Sequence, residues 1–318
     1  MELSEKKLQE FLAKQGIEEF ACKKIAGDCS FRSYYRIETG GKRLILMFAP
    51  PAHEDIRPFI EVGELLLGNG LTAPKMFGHD FDEGFLLLED FGDVSFNKSM
   101  AGGDLVHEER LYKNSIDALI KVQAIKEVEN LPKYNHGMLF NELMVYIDWY
   151  LDFKGVKFDL TQMKKFKDEF FALFDKLNWQ DKSLVLRDYH ADNLMYLEGK
   201  IGVKSVGLLD FQDAVVGSST YDLVSLVEDA RRDVDLELGE RLIEYYLTRS
   251  GASDRKKFMQ DYKILSLQRN VKILGIFARM AKRNGQDSYL EMIPRVQAHI
   301  LRRLDDEFFD GVREVLVV

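Results

Sequence analysis

Two aspartates and one asparagine have the types and the spacing that phosphoryl transfer requires. Asp188 lies five residues before Asn193, and Asp210 follows the apolar run Val206–Leu209. Transfer of a phosphoryl group needs one carboxylate that takes the proton of the acceptor hydroxyl. It also needs a second carboxylate and an amide oxygen that hold magnesium on the nucleotide phosphates. The pattern therefore favours a kinase, although a surface loop capped by Asp and Asn side chains would show the same residue types.

The segment Arg187–Gln212 resembles the catalytic loop and the metal loop of the protein-kinase-like superfamily, in its aminoglycoside-phosphotransferase branch. The resemblance implies that Asp188 is the catalytic base, that Asn193 and Asp210 bind Mg²⁺, and that ATP is the co-substrate. It also implies a structural role for Asp222, whose buried carboxylate would accept hydrogen bonds from the catalytic-loop backbone.

The segment Ala26–Tyr34 resembles the loop that covers the nucleotide phosphates between the first two strands. Gly27 would let the backbone approach the phosphates, and Ser30 and Ser33 could donate hydrogen bonds. Most members of the superfamily also carry a Lys on the third strand, but here that strand reads Leu-Ile-Leu-Met-Phe. We therefore expect Arg32 to supply the missing cation. A plain hairpin turn is the alternative interpretation of the loop.

Two other segments bear on the nucleotide and on the catalytic loop. The stretch Leu87–Gly92 resembles the hinge between the lobes, where adenine would bond to backbone near Glu89 and Phe91. In the catalytic loop, Leu186 replaces the His that usually precedes the Arg-Asp pair. Leu keeps the apolar packing but loses a hydrogen bond, so we expect this loop to be less well held.

A closer resemblance covers nearly the whole chain. It is to the bacterial anomeric sugar kinases that phosphorylate N-acetylmuramate and N-acetylglucosamine at the C1 hydroxyl in cell-wall recycling. The resemblance rests on motifs in Asn141–Met144, Asp210–Ala214 and Leu267–Arg279. It implies a sugar site with amide, guanidinium and aromatic partners. The expected members of that site are His190, Gln212, Asp213, Trp149, Arg269 and Arg279.

Two other functions fit the same sequence. The acceptor could be an aminoglycoside, a choline-like alcohol or a nucleoside-like sugar. An aminoglycoside is a polycation, so its site should be lined with carboxylates such as Asp152, Glu228, Asp229 and Asp233. Alternatively, the chain could bind a nucleotide as a regulatory protein without turnover, which the missing strand Lys and loop His would favour.

The elements around these residues indicate a bilobal protein-kinase-like fold of the α+β class, with a small antiparallel-sheet N-terminal lobe and a larger helical C-terminal lobe. We assign residues 1–92 to a nucleotide-binding lobe and residues 93–318 to a helical lobe with the catalytic loop and the substrate site. Apolar periodicity predicts helices at 5–15, 57–68, 105–127, 140–153, 161–177, 219–232, 236–249, 255–283 and 289–310. Strands are predicted at 34–37, 43–48, 85–88, 183–186 and 206–209.

Composition and charge argue against several classes of partner. The chain has 318 residues, of which 46% are hydrophobic, and a net charge of −9. An acidic chain without a strong basic patch is not expected to bind nucleic acid, and no apolar run approaches the length of a membrane span. No secretory signal is visible, and the two cysteines fit a reducing compartment. We therefore expect a monomeric cytoplasmic enzyme that binds ATP and a small sugar.

Overall fold

The computed structural model of the protein describes residues 3–25 and 31–318. Gly27 and Ser30 of the predicted phosphate loop lie outside the described residues. The chain forms two compact units: Met1–Asp104 with Asp192–Asp213, and Leu105–Ala191 with Ala214–Val318. We call them the sheet unit and the helical unit. The sheet unit thus extends past residue 92 and includes a later segment, while the assignment of residues 1–92 and 93–318 to two functional lobes stays a prediction.

Five antiparallel strands form the sheet of the first unit, in the spatial order β1-β2-β3-β5-β4. The strands are β1 (Ala21–Lys24), β2 (Ser33–Thr39), β3 (Lys42–Phe48), β4 (Met76–Asp80) and β5 (Phe85–Glu89). The strands predicted at 34–37, 43–48 and 85–88 are confirmed. The sequence pattern misses β1, because its four residues are all exposed. It also misses β4, because a shift of register between Met76 and Gly78 breaks the alternation.

Helix α1 (Glu5–Lys14) packs against the sheet through the apolar face that its sequence predicts. Leu8, Phe11 and Leu12 are buried, and the ring of Phe11 lies 5.3 Å from that of Phe85 on β5. Each such side chain contributes about 1.5–3 kcal/mol by leaving water. The second helix of the unit, α2 (Arg57–Gly68), begins with a Pro in its first turn, where the missing N–H has no helical partner in any case.

A short hairpin in the segment 192–213 positions two of the predicted site residues. Strands β7 (Leu194–Tyr196) and β8 (Val206–Leu208) pair antiparallel. The backbone N–H of Leu208 donates to the Thr72 carbonyl at 2.8 Å, which attaches the hairpin to the rest of the sheet unit. Asn193 immediately precedes β7 and Asp210 follows β8, so antiparallel pairing brings both residues to the same end of the hairpin.

The helical unit is built around one long buried helix. This helix, α10 (Arg255–Asn284), agrees closely with the prediction at 255–283 and is buried along most of its length. The other α-helices of the helical unit are α4 (Leu105–Gln123), α5 (His136–Val145), α6 (Leu151–Phe153), α7 (Leu160–Phe174), α8 (Thr220–Val227), α9 (Leu236–Ser250), α11 (Ile293–Leu304) and α12 (Asp310–Arg313). The short helix α3 (Phe96–Met100) belongs to the sheet unit. Strands β6 (Ser183–Val185) and β9 (Val215–Gly217) pair antiparallel in this unit.

The helix predicted at 140–153 is interrupted by a π-helical turn, Tyr146–Tyr150, between α5 and α6. Gly275 of α10 packs against the start of this turn. A Cβ atom at Gly275 would lie 2.3 Å from the carbonyl carbon of Val145 and 2.4 Å from the nitrogen of Tyr146. Only a glycine lets the two helices approach this closely, and the approach places Glu142 of α5 near Lys272 of α10.

The helix predicted at 219–232 is shorter than expected, since α8 ends at Val227. The residues that follow include Asp229, whose carboxylate accepts a hydrogen bond from the Arg231 backbone at 2.8 Å in an irregular turn. Within the ranges 3–25 and 31–318, no helix is both long enough and apolar enough to cross a membrane. The α+β class is confirmed by the antiparallel sheet and the helical remainder.

Candidate active site

The predicted catalytic loop of the helical unit, which begins at Leu186 after β6, is held by hydrogen bonds to Asp222. The backbone N–H groups of Leu186 and Arg187 donate to the two Asp222 carboxylate oxygens, at 2.7 and 2.9 Å. Asp222 is fully buried, and burial raises its pKa to about 7, although both N–H donors act in the opposite direction. The predicted structural role of Asp222 is confirmed. The hydrogen bond from Leu186 to Asp222 therefore holds the backbone at this position, although Leu186 replaces the usual His.

The other end of the catalytic loop is held by the turn after α8. Asp229 accepts a hydrogen bond from the Ala191 backbone at 3.1 Å and is itself 1% exposed. The Ser225 hydroxyl of α8 donates to the Arg187 carbonyl at 3.1 Å. Backbone groups on both sides of Asp188 are thus fixed by the same helix and the turn that follows it.

His190 of the catalytic loop is buried and neutral. The Arg231 guanidinium lies 3.1 Å from its Nε2 atom. Since Arg can only donate, Nε2 accepts and the ring proton lies on Nδ1. Burial, followed by the charges of Arg231 and Arg269, lowers the pKa of His190 well below its ordinary value. His190 is 3% exposed, and its predicted contact with a sugar stays a prediction.

The other predicted sugar residues of the helical unit lie on the π turn and on α10. Trp149 lies in the π turn and packs, half-buried, against the helical core. Arg269 is 3% exposed. Burial raises the pKa of both Asp222 and Asp229, and the charge of Arg269 opposes part of that rise. The Nη1 atom of Arg269 has no hydrogen-bond partner among the described residues. Arg279 is half-buried and lies about 15 Å further along the axis of α10. One carboxylate is therefore expected to meet one of these two arginines and not both.

The predicted metal loop of the sheet unit brings Asn193 and Asp210 together. The Asn193 side-chain amide donates to Asp210 at 3.4 Å, and the Leu209 backbone donates to the Asn193 carbonyl at 3.0 Å. Asp210 has a φ of +56°, a left-handed conformation that is costly for a residue with a Cβ and that is frequent at functional sites.

Gln212 and Asp213, two predicted sugar residues, lie beside this metal loop. The Gln212 amide donates to Asp210 at 2.9 Å and to Asp213 at 3.1 Å. The Oε1 atom of Gln212 is buried and has no hydrogen-bond partner within the described part of the chain. Gln212 and Asp213 thus lie together with Asp210, and their contact with a sugar stays a prediction.

The donor set of this loop fits magnesium. A carboxylate and an amide lie side by side at Asp210 and Asn193, and Mg²⁺ is usually bound by one or two protein carboxylates together with substrate phosphates and retained waters. Arg32 provides a cationic side chain beside this loop, with its Nη2 atom 3.6 Å from Asp210 Oδ1. Burial of the Arg32 side chain disfavours its charge, but the neighbouring Tyr34 and Asp210 raise its pKa above the ordinary value.

Strand β3 carries no cation where the superfamily usually has its Lys. Met47 is 1% exposed and pairs with Tyr34 and Leu86 in the sheet. Ser33 opens β2 and pairs with Phe48. Arg32 directly precedes β2, so its position beside Asp210 is compatible with the role that the sequence predicts for it.

A pocket of about 390 Å³ in the sheet unit contains the predicted hinge. Its lining combines apolar and charged side chains. The lining residues include Ile25, Ile45, Pro74, Leu88, Glu89, Phe91, Met195 and Leu209, and also Arg36, Asp93, Lys98, Asp192, Asn193 and Asp210. The pocket thus joins the hinge to the metal loop within one unit, and its size suits a small organic ligand.

Residues of the predicted hinge contact Lys75 and Gly207 within the sheet unit. The Glu89 N–H donates to the Lys75 carbonyl at 2.8 Å, and the Glu89 carboxylate accepts from the Lys75 N–H at 3.3 Å. The ring of Phe91 lies 2.8 Å from the place that a Cβ atom would take at Gly207. The glycine on β8 therefore makes room for the Phe91 ring.

Arg36 is a pocket residue that the sequence analysis misses. Its guanidinium binds the Asp90 carboxylate at 2.7 and 3.1 Å and the Asp93 carboxylate at 2.9 and 3.2 Å. The hydrogen bond from Arg36 lowers the pKa of Asp93. The only signal in the sequence is an Asp pair at a spacing of three around Gly92, which does not by itself indicate a partner on β2.

Comparisons with known proteins bear on the family and the fold of this chain. Residues 21–259 match the family model described as "Phosphotransferase enzyme family". The N-acetylmuramate/N-acetylglucosamine kinase of Pseudomonas aeruginosa is 34% identical over 277 residues, which cover 85% of this chain and 80% of that protein.

Solved structures similar to this chain share its fold. The choline kinase LicA from Streptococcus pneumoniae aligns with a TM-score of 0.67 and 14% identity, over 94% of this chain and 99% of that chain. ADP-bound aminoglycoside phosphotransferase APH(2'')-Ib gives a TM-score of 0.62 and 13% identity, over 94% and 99%. These likenesses show the fold, and the predicted protein-kinase-like fold is confirmed.

Proposed function

Because this chain belongs to the phosphotransferase enzyme family, we propose that it is a sugar kinase that transfers the γ-phosphoryl group of ATP to the C1 hydroxyl of N-acetylmuramate or N-acetylglucosamine. The observation that carries the proposal is the 34% identity, across 85% of the chain, to a kinase named for these two sugars. The fold supports ATP as the co-substrate. We also propose that the enzyme works as a monomer in the cytoplasm, where ATP is available.

Asp188 is the proposed base. It aligns the C1 hydroxyl of the sugar and takes its proton as the bond to phosphorus forms. This role requires a carboxylate in a defined place. The hydrogen bonds from Leu186 and Arg187 to Asp222 support it, since they fix the backbone just before Asp188.

Asn193 and Asp210 are the proposed Mg²⁺ ligands. When bound, Mg²⁺ neutralises charge on the phosphates and lowers the cost of transferring the γ-phosphoryl group. Arg32 is the proposed phosphate cation that takes the place of the strand Lys. It supplies a planar fork of donors that can bind two phosphate oxygens at once. Its position 3.6 Å from Asp210 supports this assignment.

The 390 Å³ pocket is the proposed nucleotide site. Its apolar side chains would pack against the adenine ring, with the predicted hinge backbone near Glu89 and Phe91 as hydrogen-bonding partner. The phosphates would lie toward Asn193 and Asp210, which line the same pocket. Ser33, at the start of β2, is a further proposed phosphate contact. Arg36 keeps the hinge in place through Asp90 and Asp93.

The proposed sugar contacts rest on family resemblance and on the chemistry of the side chains. Gln212 can donate and accept at once, and its Oε1 atom has no hydrogen-bond partner within the described ranges. Arg269 or Arg279 could bind the carboxylate of N-acetylmuramate in a fork. Trp149 offers an aromatic face for the ring. His190 and Asp213 complete the proposed set.

Four carboxylates that could have formed an aminoglycoside site are already engaged. Asp152 pairs with Lys282 and Glu228 pairs with Arg303. Asp233 binds Arg295 at 2.6 Å. The fourth, Asp229, is buried against backbone N–H groups. A polycationic acceptor would have to displace these partners, so the arrangement favours a neutral or anionic sugar over an aminoglycoside.

The test is a coupled assay of ADP release over a panel of acceptors. The panel contains N-acetylmuramate, N-acetylglucosamine, an aminoglycoside, choline and a control without acceptor. We expect magnesium-dependent turnover with the two N-acetylated sugars that exceeds every other arm. Turnover confined to the aminoglycoside or to choline would contradict the substrate class. ADP release in no arm would favour the regulatory alternative.

A further inference from the structure

A buried ion-pair cluster in the helical unit joins α5, α10 and the catalytic loop. At its centre, Glu142 accepts hydrogen bonds from the Lys272 ammonium at 2.9 Å and from the Arg187 guanidinium. It also accepts from the Tyr134 hydroxyl at 3.0 Å and from the Gln268 amide at 3.1 Å. A carboxylate with four donors in a poorly solvated place has little freedom to move.

The three charged side chains of this cluster are well shielded from water. The exposed fractions are 10% for Glu142, 18% for Arg187 and 14% for Lys272. Exposed ion pairs contribute little because water competes for both partners, whereas a shielded pair fixes geometry and is costly to break. We therefore expect the ion pairs of this cluster to fix the positions of Glu142, Arg187 and Lys272.

Arg187 is the residue through which the cluster reaches Asp188. Its φ is +72°, in the left-handed region, and such a conformation persists only where the surroundings hold it. Asp222 holds its N–H and Ser225 holds its carbonyl, while Glu142 holds its guanidinium. Asp188 is the next residue, so the direction of its carboxylate depends on how firmly Arg187 is held.

Lys272 gives the cluster a second cation for one carboxylate. Lys272 and Arg187 both bind the Oε1 atom of Glu142. Because the two cations repel each other, Lys272 limits the positions around this oxygen that the Arg187 guanidinium can take. Lys272 also donates to the Tyr221 hydroxyl at 3.3 Å, and it belongs to α10, which is buried along most of its length. It therefore connects Glu142 to a rigid element.

We propose that Lys272 is a positioning residue for phosphoryl transfer, holding Glu142, which holds Arg187 and so the backbone that carries Asp188. The proposal rests on the proposed function, in which Asp188 is the base. It requires no contact between Lys272 and either substrate. Loss of Lys272 should therefore slow the chemical step and leave nucleotide binding unchanged, whereas general damage to the fold would alter both.

The experiment compares the full-length parent with three variants by steady-state kinetics under saturating sugar. Lys272→Met removes the cation but keeps an unbranched apolar stem, and Lys272→Arg keeps the charge. Lys165→Met is the matched control, since Lys165 also pairs with a glutamate, Glu314, at 2.7 Å but lies exposed. Thermal unfolding of each variant is measured in parallel.

We expect Lys272→Met to lower kcat roughly 10- to 100-fold, with a KM for ATP within about twofold of the parent, as for a misplaced catalytic group. Lys272→Arg should recover most of the loss, and Lys165→Met should match the parent. If Lys272→Met does not fold, Glu142→Gln, which keeps the shape of the side chain, should show the same fall in kcat.

Three outcomes would overturn the proposal. The first is a Lys272→Met variant that folds and keeps the kcat of the parent. Where Lys272→Met does not fold, a folded Glu142→Gln with the kcat of the parent counts in the same way. The second is a parallel change of kcat and KM for ATP. The third is a Lys272→Arg no more active than Lys272→Met. These outcomes leave the proposed function intact, because they require an active parent. A parent with no turnover on any acceptor would instead overturn the proposed function, and this proposal with it.

Discussion

The guanidinium of Arg32 lies 3.6 Å from the carboxylate of Asp210, measured from Nη2 to Oδ1. The Arg32 side chain is 11% exposed, so its charge acts on its surroundings with little screening by water. The neighbouring β3 strand offers Met47 where a Lys is usual. Arg32 is thus positioned to bind phosphate next to the proposed metal ligand.

Replacing Arg32 by Ala should raise the KM for ATP roughly ten- to a hundredfold, because a hydrogen bond to a charged group contributes about 1.5–3 kcal/mol. The KM for the sugar should change less. Arg57→Ala, which removes an exposed arginine of the same unit, is the control. Initial rates measured against both substrates give the two constants. An unchanged KM for ATP would mean that another cation binds the phosphates.

Replacing Asp210 by Asn should abolish productive use of magnesium. The proposed site has one carboxylate, and its loss leaves two amides that bind Mg²⁺ weakly. Activity is measured against magnesium concentration for the parent, for Asp210→Asn and for Asp82→Asn, which changes an exposed aspartate of the same unit. We expect the first variant to show no saturation and the second to retain a magnesium curve close to that of the parent. A parental curve for Asp210→Asn would exclude a ligand role.

Replacing Gly275 by Ala should destabilise the protein by about 1–3 kcal/mol, the usual cost of overpacking a close contact. The added Cβ would meet the Val145 backbone at 2.3 Å, and backbone has little room to give way. Gly68→Ala is the control, since nothing lies within 4 Å of its added Cβ. Urea unfolding of both variants gives the free energies. Equal stabilities would show that α5 and α10 tolerate a wider separation.

The stabilising contribution of the Glu142 carboxylate should be lost in acid. Burial alone would raise its pKa, but Lys272 and Arg187 lower it to about 2, against an ordinary value of 4.5. The ionised carboxylate therefore stabilises the fold fully above pH 4.5, by on the order of 3 kcal/mol, and this contribution is lost as the pH falls toward 2.

The free energy of unfolding of the parent and of Glu142→Gln at pH 6 and pH 3 measures this contribution. The advantage of the parent should be smaller at pH 3 by about 2 kcal/mol. Asp222, whose pKa burial raises to about 7, has the opposite pH dependence but is present in both proteins and cancels in the comparison. The same advantage at both pH values would contradict the lowered pKa of Glu142.

The part of the site that the sequence predicts is local along the chain. Asp188 and Asn193 are five residues apart, and one short hairpin connects Asn193 to Asp210. The residue types therefore indicate the chemistry, and the short spacing indicates that the side chains lie near one another. Asp222 follows in the next helix, and its predicted bonds to the catalytic loop are found.

The part that the sequence does not predict depends on contacts between distant segments. Glu142 meets Lys272 across 130 positions, and Arg36 meets Asp90 across 54. A charged residue on a helix or strand looks the same in sequence whether it is solvated or paired in the interior. Only the fold distinguishes the two cases.

Burial also changes what can be said of the predicted sugar residues. Arg269 and His190 are each 3% exposed, and both lie near the buried carboxylates that hold the catalytic loop. The helix motif that contains Arg269 is distinctive in sequence, but a distinctive motif can serve the loop as well as the sugar. The π turn in the helix predicted at 140–153 is likewise not visible in the local sequence, because it lies where Gly275 of α10 packs against that helix.

The most direct test of the account is the identity of the product formed from N-acetylglucosamine, ATP and magnesium. We predict a C1 phosphate: the product no longer reduces alkaline copper, and its phosphorus NMR signal couples to the anomeric proton. Asp188→Asn, the control, should form it roughly 10²- to 10⁴-fold more slowly. A phosphorylated product that still reduces copper has a free anomeric carbon and would contradict transfer to C1.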